Sequence, residues 1–114
     1  MARLTTNTKW RRMLAWLRRE FPLQRPVTVR RLRLLGDECG TCVLERQRFR
    51  LEIASNQCST LQRDSLLHEW AHAMTWFGAD AVRQFHGPEW GLAYAKLYRR
   101  FLVWNYGRKA KSDG

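Results

Sequence analysis

Apolar and polar positions change period along the chain. In residues 6–20, Trp10, Met13, Leu14 and Leu17 follow helical spacing while Arg11, Arg12, Arg18 and Arg19 point elsewhere, which predicts an amphipathic helix. Pro22 and Pro26 end it. The period then drops to two. "VTVRRLRLL" (27–35), "TCVLE" (41–45) and "RFRLEIA" (48–54) read as strands, with turn chemistry in "GDECG" between the first two. In the last run Phe49, Leu51 and Ile53 alternate with Arg48, Arg50 and Glu52, the pattern of one buried and one wet face. The short link Arg46-Gln47 makes the second and third strands a hairpin, and the three runs together a sheet of antiparallel type.

Helical spacing returns after "SNQCSTLQ" (55–62). Ser59 with Gln62 predicts a capping box, and Cys58 a small buried residue near the helix start. This helix is expected to reach about Phe77, with Gly78 as its stop. "ADAVRQF" (79–85) links it to a last helix that opens at Pro88 and runs to about Trp104, burying Trp90, Ala93, Leu97 and Phe101. The order helix, three strands, helix, helix argues an α+β fold. Residues 1–107 are read as one domain and 108–114 as a frayed basic tail.

Composition agrees with a single packed domain. The chain has 114 residues, 45% of them apolar and six of them Trp, enough to fill one core and too few for two. No apolar run approaches the roughly 20 residues of a membrane span, and the arginines scattered through the N-terminus are unlike a signal peptide. A cytoplasmic location is expected. Three cysteines cannot form a complete set of disulfides within one chain. Cys39 and Cys42 make a lone CxxC, read as a turn leading into a strand rather than half of a metal site.

Charge adds a partner to the picture. The net charge is +11, and 17 of the 21 basic residues are arginine, the better side chain for bidentate phosphate contact. Residues 1–35 carry ten basic residues and one acid, 36–80 four and seven, and 81–114 seven and two. Such an excess predicts a polyanionic partner, with DNA, single-stranded or duplex, as the expectation. Arg11, Arg12, Arg18, Arg19, Arg30, Arg31 and Arg33 are the candidate contacts.

The acidic middle stretch holds the chemistry. "LLHEWAHAM" places His68 and His72 four apart, about 40° apart around a helix, so both imidazoles can face one metal ion. Glu69 follows on the same side, within reach of a metal-bound water but not as a ligand. A catalytic zinc takes three protein ligands and keeps one position open. The remaining histidine, His86 in "FHGPEW", is the candidate third ligand, with Glu89 as its competitor. Asp80 is a candidate outer partner for a ligating ring.

"LLHEWAHAM" followed at this distance by "HGPEW" resembles the SprT-like zinc metallopeptidases, which include the Spartan proteases. The resemblance is clearest over residues 61–101; before that it is one of element order. It implies a minimal zincin-like fold and one zinc ion held by His68, His72 and His86, with Glu69 as the catalytic glutamate. It also implies DNA-dependent digestion of proteins crosslinked to DNA. The cysteine zinc ribbon that many members carry is missing from this chain, so any DNA contact falls to its own arginines.

The expected reaction is amide hydrolysis, with Glu69 as general base toward the zinc-bound water and Tyr94 or Tyr98 as candidates for a second oxyanion donor. An exposed edge strand could hold an extended protein or peptide substrate. Beside this reading stand a metal-dependent hydrolase of a small or non-peptide substrate, for which the sequence offers no special pocket residue, and two alternatives closer to the motif. One is a zinc protease dedicated to a single target such as a repressor, and the other is a DNA-binding module with a structural zinc.

Overall fold

The computed structural model describes residues 6–76 and 86–112. They form three helices and a three-stranded mixed sheet, an α+β architecture. Helix α1 spans Thr6–Glu20, strands β1, β2 and β3 span Val27–Leu32, Gly40–Glu45 and Arg48–Ala54, and helices α2 and α3 span Ser59–Met74 and Pro88–Ser112. No described helix is long and apolar enough to cross a membrane.

The sheet departs from the antiparallel expectation. Its strand order is β1-β3-β2, with β3 antiparallel to β2 but parallel to β1. The hairpin is as expected, turning through Arg46 and Gln47, both at positive φ. The first connection is what differs. Residues 33–39 carry the chain past the central slot, so β2 forms an outer edge and β3 returns to the middle. β1 is also shorter than its apolar run: it stops at Leu32, and Leu35 is exposed beside Gly36, whose φ is +78°.

The inner face of the sheet carries Phe49, Leu51 and Ile53, all buried, while Arg48 and Arg50 face solvent. Helix α2 lies on this inner face against β2 and β3, with α3 packed beside it. Helix α1 joins the core through Trp10, Met13, Trp16 and Leu17. Trp16 stacks on Trp104 of α3 at 5.2 Å, and the indole of Trp70 in α2 donates to the Phe21 carbonyl at 3.0 Å. Aromatic groups thus tie α1 to both other helices and satisfy a polar atom that burial would otherwise strand.

Helix α2 is therefore enclosed almost all round. Ser65, Leu66, Leu67 and Glu69 through Ala73 are buried, a pattern no single apolar stripe would give. Its start differs from expectation. Cys58 is the N-cap, exposed rather than buried, and no side chain caps the helix. Ser59 already lies inside the first turn, one place too late to cap it, and the Gln62 amide donates to the Gln57 carbonyl at 2.8 Å instead of closing a box. The helix ends at Met74, before Phe77, and Gly78 lies outside the described residues. Helix α3 runs to Ser112, well beyond the expected end near Trp104 and through most of the supposed frayed tail. Lys, Arg and Ala are good helix formers, and basic residues suit the negative end of a helix dipole.

Candidate metal centre

The buried helix α2 carries His68, Glu69 and His72 into the interior, and His86 stands just ahead of α3. Gly87 accepts the first backbone bond of α3 from the Gly91 N–H at 3.0 Å, so His86 sits where the chain turns into that helix. The three rings converge. Nε2 of His72 lies 3.3 Å from Nε2 of His68 and 3.0 Å from Nε2 of His86, and the third side of the triangle is 3.0 Å. His72 is buried, His68 half-buried and His86 exposed, so the cluster opens outward at one corner.

Such a triangle has no purely hydrogen-bonded solution. Each imidazole nitrogen is a donor or an acceptor, never both, so three nitrogens cannot satisfy one another around a ring. A shared cation can satisfy all three. Nitrogens about 2.0–2.1 Å from a tetrahedral zinc stand about 3.3 Å apart, close to the sides found here. Both helical rings are also held neutral, as ligation requires. Desolvation, with His86 adding to it, lowers His68; desolvation, then His68 and His86, lowers His72 to about 4. Among the described residues this is the histidine, cysteine and carboxylate group that could hold a metal ion. Glu89, the competing ligand, is exposed in the first turn of α3 and is not part of it. Asp80 lies outside the described residues.

Glu69 is buried beside this cluster, with Oε2 3.9 Å from Nε2 of His68. Burial raises its carboxyl to about 7. Its carboxylate rests against the start of β2, where a Cβ placed on Gly40 would come within 3.2 Å of Glu69 Cγ and 3.3 Å of Oε2. Gly40 drew notice in the sequence only as turn punctuation; its place against the glutamate has no sequence signal. Trp90 was read as core and does more. Its indole donates to the His68 carbonyl at 3.2 Å and stacks on His72 at 5.3 Å. The same ring meets His68 and His86 edge-on. Its place in "HGPEW", one helical turn after the third histidine, was the available signal. Tyr94 stacks on Trp90 at 5.1 Å and lies 5.9 Å from the His68 ring, whereas Tyr98 sits one turn further along.

The arginines singled out in the sequence are not one surface. Arg11, Arg12, Arg18 and Arg19 are exposed on α1, and Arg30 and Arg33 are exposed on and just after β1. Arg31 is engaged within the fold, donating to Asn7 Oδ1 at 2.7 Å and lying 4.6 Å over the Trp10 ring. The Cys39-to-Cys42 stretch is a turn running into β2, as expected: Cys39 is exposed, Cys42 is buried in the strand, and both thiols are free. Burial, and Glu69 behind it, pushes the Cys42 thiol up to about 12.

No curated protein and no solved structure matches the chain significantly. The SprT-like family matches residues 8–106, which span α1, the sheet, the histidine cluster and most of α3. With most of its length matched and its three histidines gathered at one point, the chain belongs to the SprT-like family.

Proposed function

We propose that the chain is a zinc-dependent metallopeptidase of zincin-like build that cleaves proteins associated with, or crosslinked to, DNA in the cytoplasm. The observation that carries this reading is the convergence of three imidazoles beside a buried glutamate that ligates nothing. A structural zinc would have no use for Glu69, and a buried carboxyl without a task is a cost to the fold. His68, His72 and His86 would hold the ion. When bound, zinc supplies Lewis acidity, bringing the pKa of a coordinated water to about 7 and polarising the scissile carbonyl.

Glu69 moves the protons. Its buried carboxylate, beside the histidine cluster, can take a proton from the attacking water at Oε2 and return it to the departing nitrogen as the C–N bond breaks. Trp90 keeps the rings in place by closing on all three. Tyr94, nearer the cluster than Tyr98, is the candidate to donate to the developing oxyanion. Strand β2 is an edge of the sheet and begins at Gly40, against Glu69, so an extended substrate could add to it as a further strand. Recognition through backbone hydrogen bonds would suit varied protein substrates.

The test is self-cleavage of zinc-loaded protein with and without single-stranded DNA, beside Glu69→Gln. The variant is expected to keep one zinc and its fold while losing at least about a hundredfold in rate. Turnover retained in Glu69→Gln would sink the mechanism. Cleavage indifferent to DNA would favour a protease dedicated to one protein target.

A further inference from the structure

The face of the sheet turned away from α2 carries a feature the chemistry above does not use. Thr28 and Arg30 of β1, Arg48 and Arg50 of β3, Glu45 of β2 and Arg46 of the hairpin turn line an open groove of about 380 Å³. The register builds it, pairing Thr28 with Arg50 across one boundary and Arg48 with Glu45 across the other. Within the groove four arginines face one glutamate, and Glu52, the register partner of Arg30 on the same wet face, lies outside its lining. Arg50 binds that glutamate at 2.9 Å, and Arg48 donates to Thr28 Oγ1 at 3.2 Å, so both guanidinium groups are held in place. Arg30 and Arg46 form no ion pair among the described residues and are exposed.

The turn gives an independent pointer. Arg46 and Gln47 hold φ of 52° and 66°, where a two-residue hairpin favours Asn-Gly. A long side chain in the left-handed region is a poor choice for turn stability, and such strain gathers where a side chain has another task. Arg46 thereby joins the other three arginines in the groove lining.

We propose that this groove docks the phosphate backbone of nucleic acid. Arginines two apart on β3 are about 7 Å apart, a stride suited to successive phosphates. The groove offers no aromatic ring for base stacking, so contact is to backbone alone and blind to sequence. Nucleic acid bound there lies on the opposite side of the sheet from α2 and leaves the histidine cluster open to protein. The inference rests on the DNA-associated part of the function proposed above and is independent of its hydrolytic part.

The experiment is fluorescence anisotropy of a labelled DNA duplex titrated with the full chain at several salt concentrations. Combining Arg30→Ser, Arg46→Ser and Arg48→Ser is expected to weaken binding at least about tenfold and flatten the log–log salt slope by about 2–3. Changing Arg11, Arg12, Arg18 and Arg19 of α1 to Ser should cost clearly less; an equal or larger loss there overturns the proposal. Arg46→Gly alone should raise the melting temperature, by relieving the turn, while weakening DNA binding. Unchanged affinity in that stabilised variant also overturns it. So does binding of wild type to phosphatidylserine vesicles with none to the duplex. Hydrolysis is measured in parallel. DNA binding that depends on the groove in a chain that cleaves nothing refutes the peptidase reading alone, and cleavage without groove-dependent DNA binding refutes this one alone.

Discussion

Glu69 and His72 share a pocket and respond to acid in opposite senses. In the metal-free chain burial raises Glu69 to about 7, so its contribution to stability is complete below its ordinary pKa of 4.5 and is lost as pH rises through 7. Desolvation and the neighbouring rings lower His72 to about 4, so its contribution is complete above 6.5 and is lost as pH falls toward 4. Between pH 4.5 and 6.5 the two slopes oppose each other. Removing one of them with Glu69→Gln should unmask the other. The unfolding free energy of the metal-free variant, from urea titration, is expected to climb with pH across that interval by on the order of 1–3 kcal/mol more than wild type. Equal slopes would mean that Glu69 ionises freely in the pocket. At this scale the sequence was informative wherever spacing alone dictates geometry. His68 and His72 must share a helical face, and His86 was the sole histidine left to join them. Trp90 was not legible in the same way, because periodicity reports that a ring is buried and not which rings it meets.

Strand β2 and helix α2 meet at Gly40, and the closeness of that meeting sets the position of the glutamate. A Cβ there would stand 3.1 Å from the Glu52 carbonyl as well as against Glu69, so Ala at this position must move one neighbour by a few tenths of an ångström. Gly40→Ala should leave zinc content at one equivalent and stability within about 2 kcal/mol, yet lower kcat by about 10²-fold through displacement of the carboxylate. Zinc content paired with steady-state kinetics checks this; parallel loss of zinc and activity would mean collapse of the site instead. The elements themselves were largely readable, because the alternation in β3 and the two-residue length of the link at 46–47 act locally. The parallel pairing of β1 was not, since it depends on where residues 33–39 carry the chain and no local pattern encodes that route. Nor was the length of α3, whose basic end resembles a tail and is helical to Ser112.

Across the whole molecule, three free thiols report on global opening. Cys39 and Cys58 are exposed, while Cys42 is buried with its thiol held protonated. Iodoacetamide should add two adducts to the native chain and a third only on unfolding, read by intact mass. A metal ion held by the three converging histidines would favour the folded state, so zinc loading is expected to slow the third adduct and chelation to hasten it, by the mass-action factor of binding. Three adducts at once in the native chain would contradict the packing of β2 on α2. That same sheet has two ends of unlike character. On β1 and just past its end, the exposed Arg30 and Arg33 set charge beside the outer edge, a barrier to any incoming strand, whereas β2 carries one acid, Glu45, at its far end. A sheet with one barred and one receptive side can be extended only once. Two copies that joined through β2 would use up the receptive side of each, so self-association by this route closes at a pair and gives a fibre nothing to grow from.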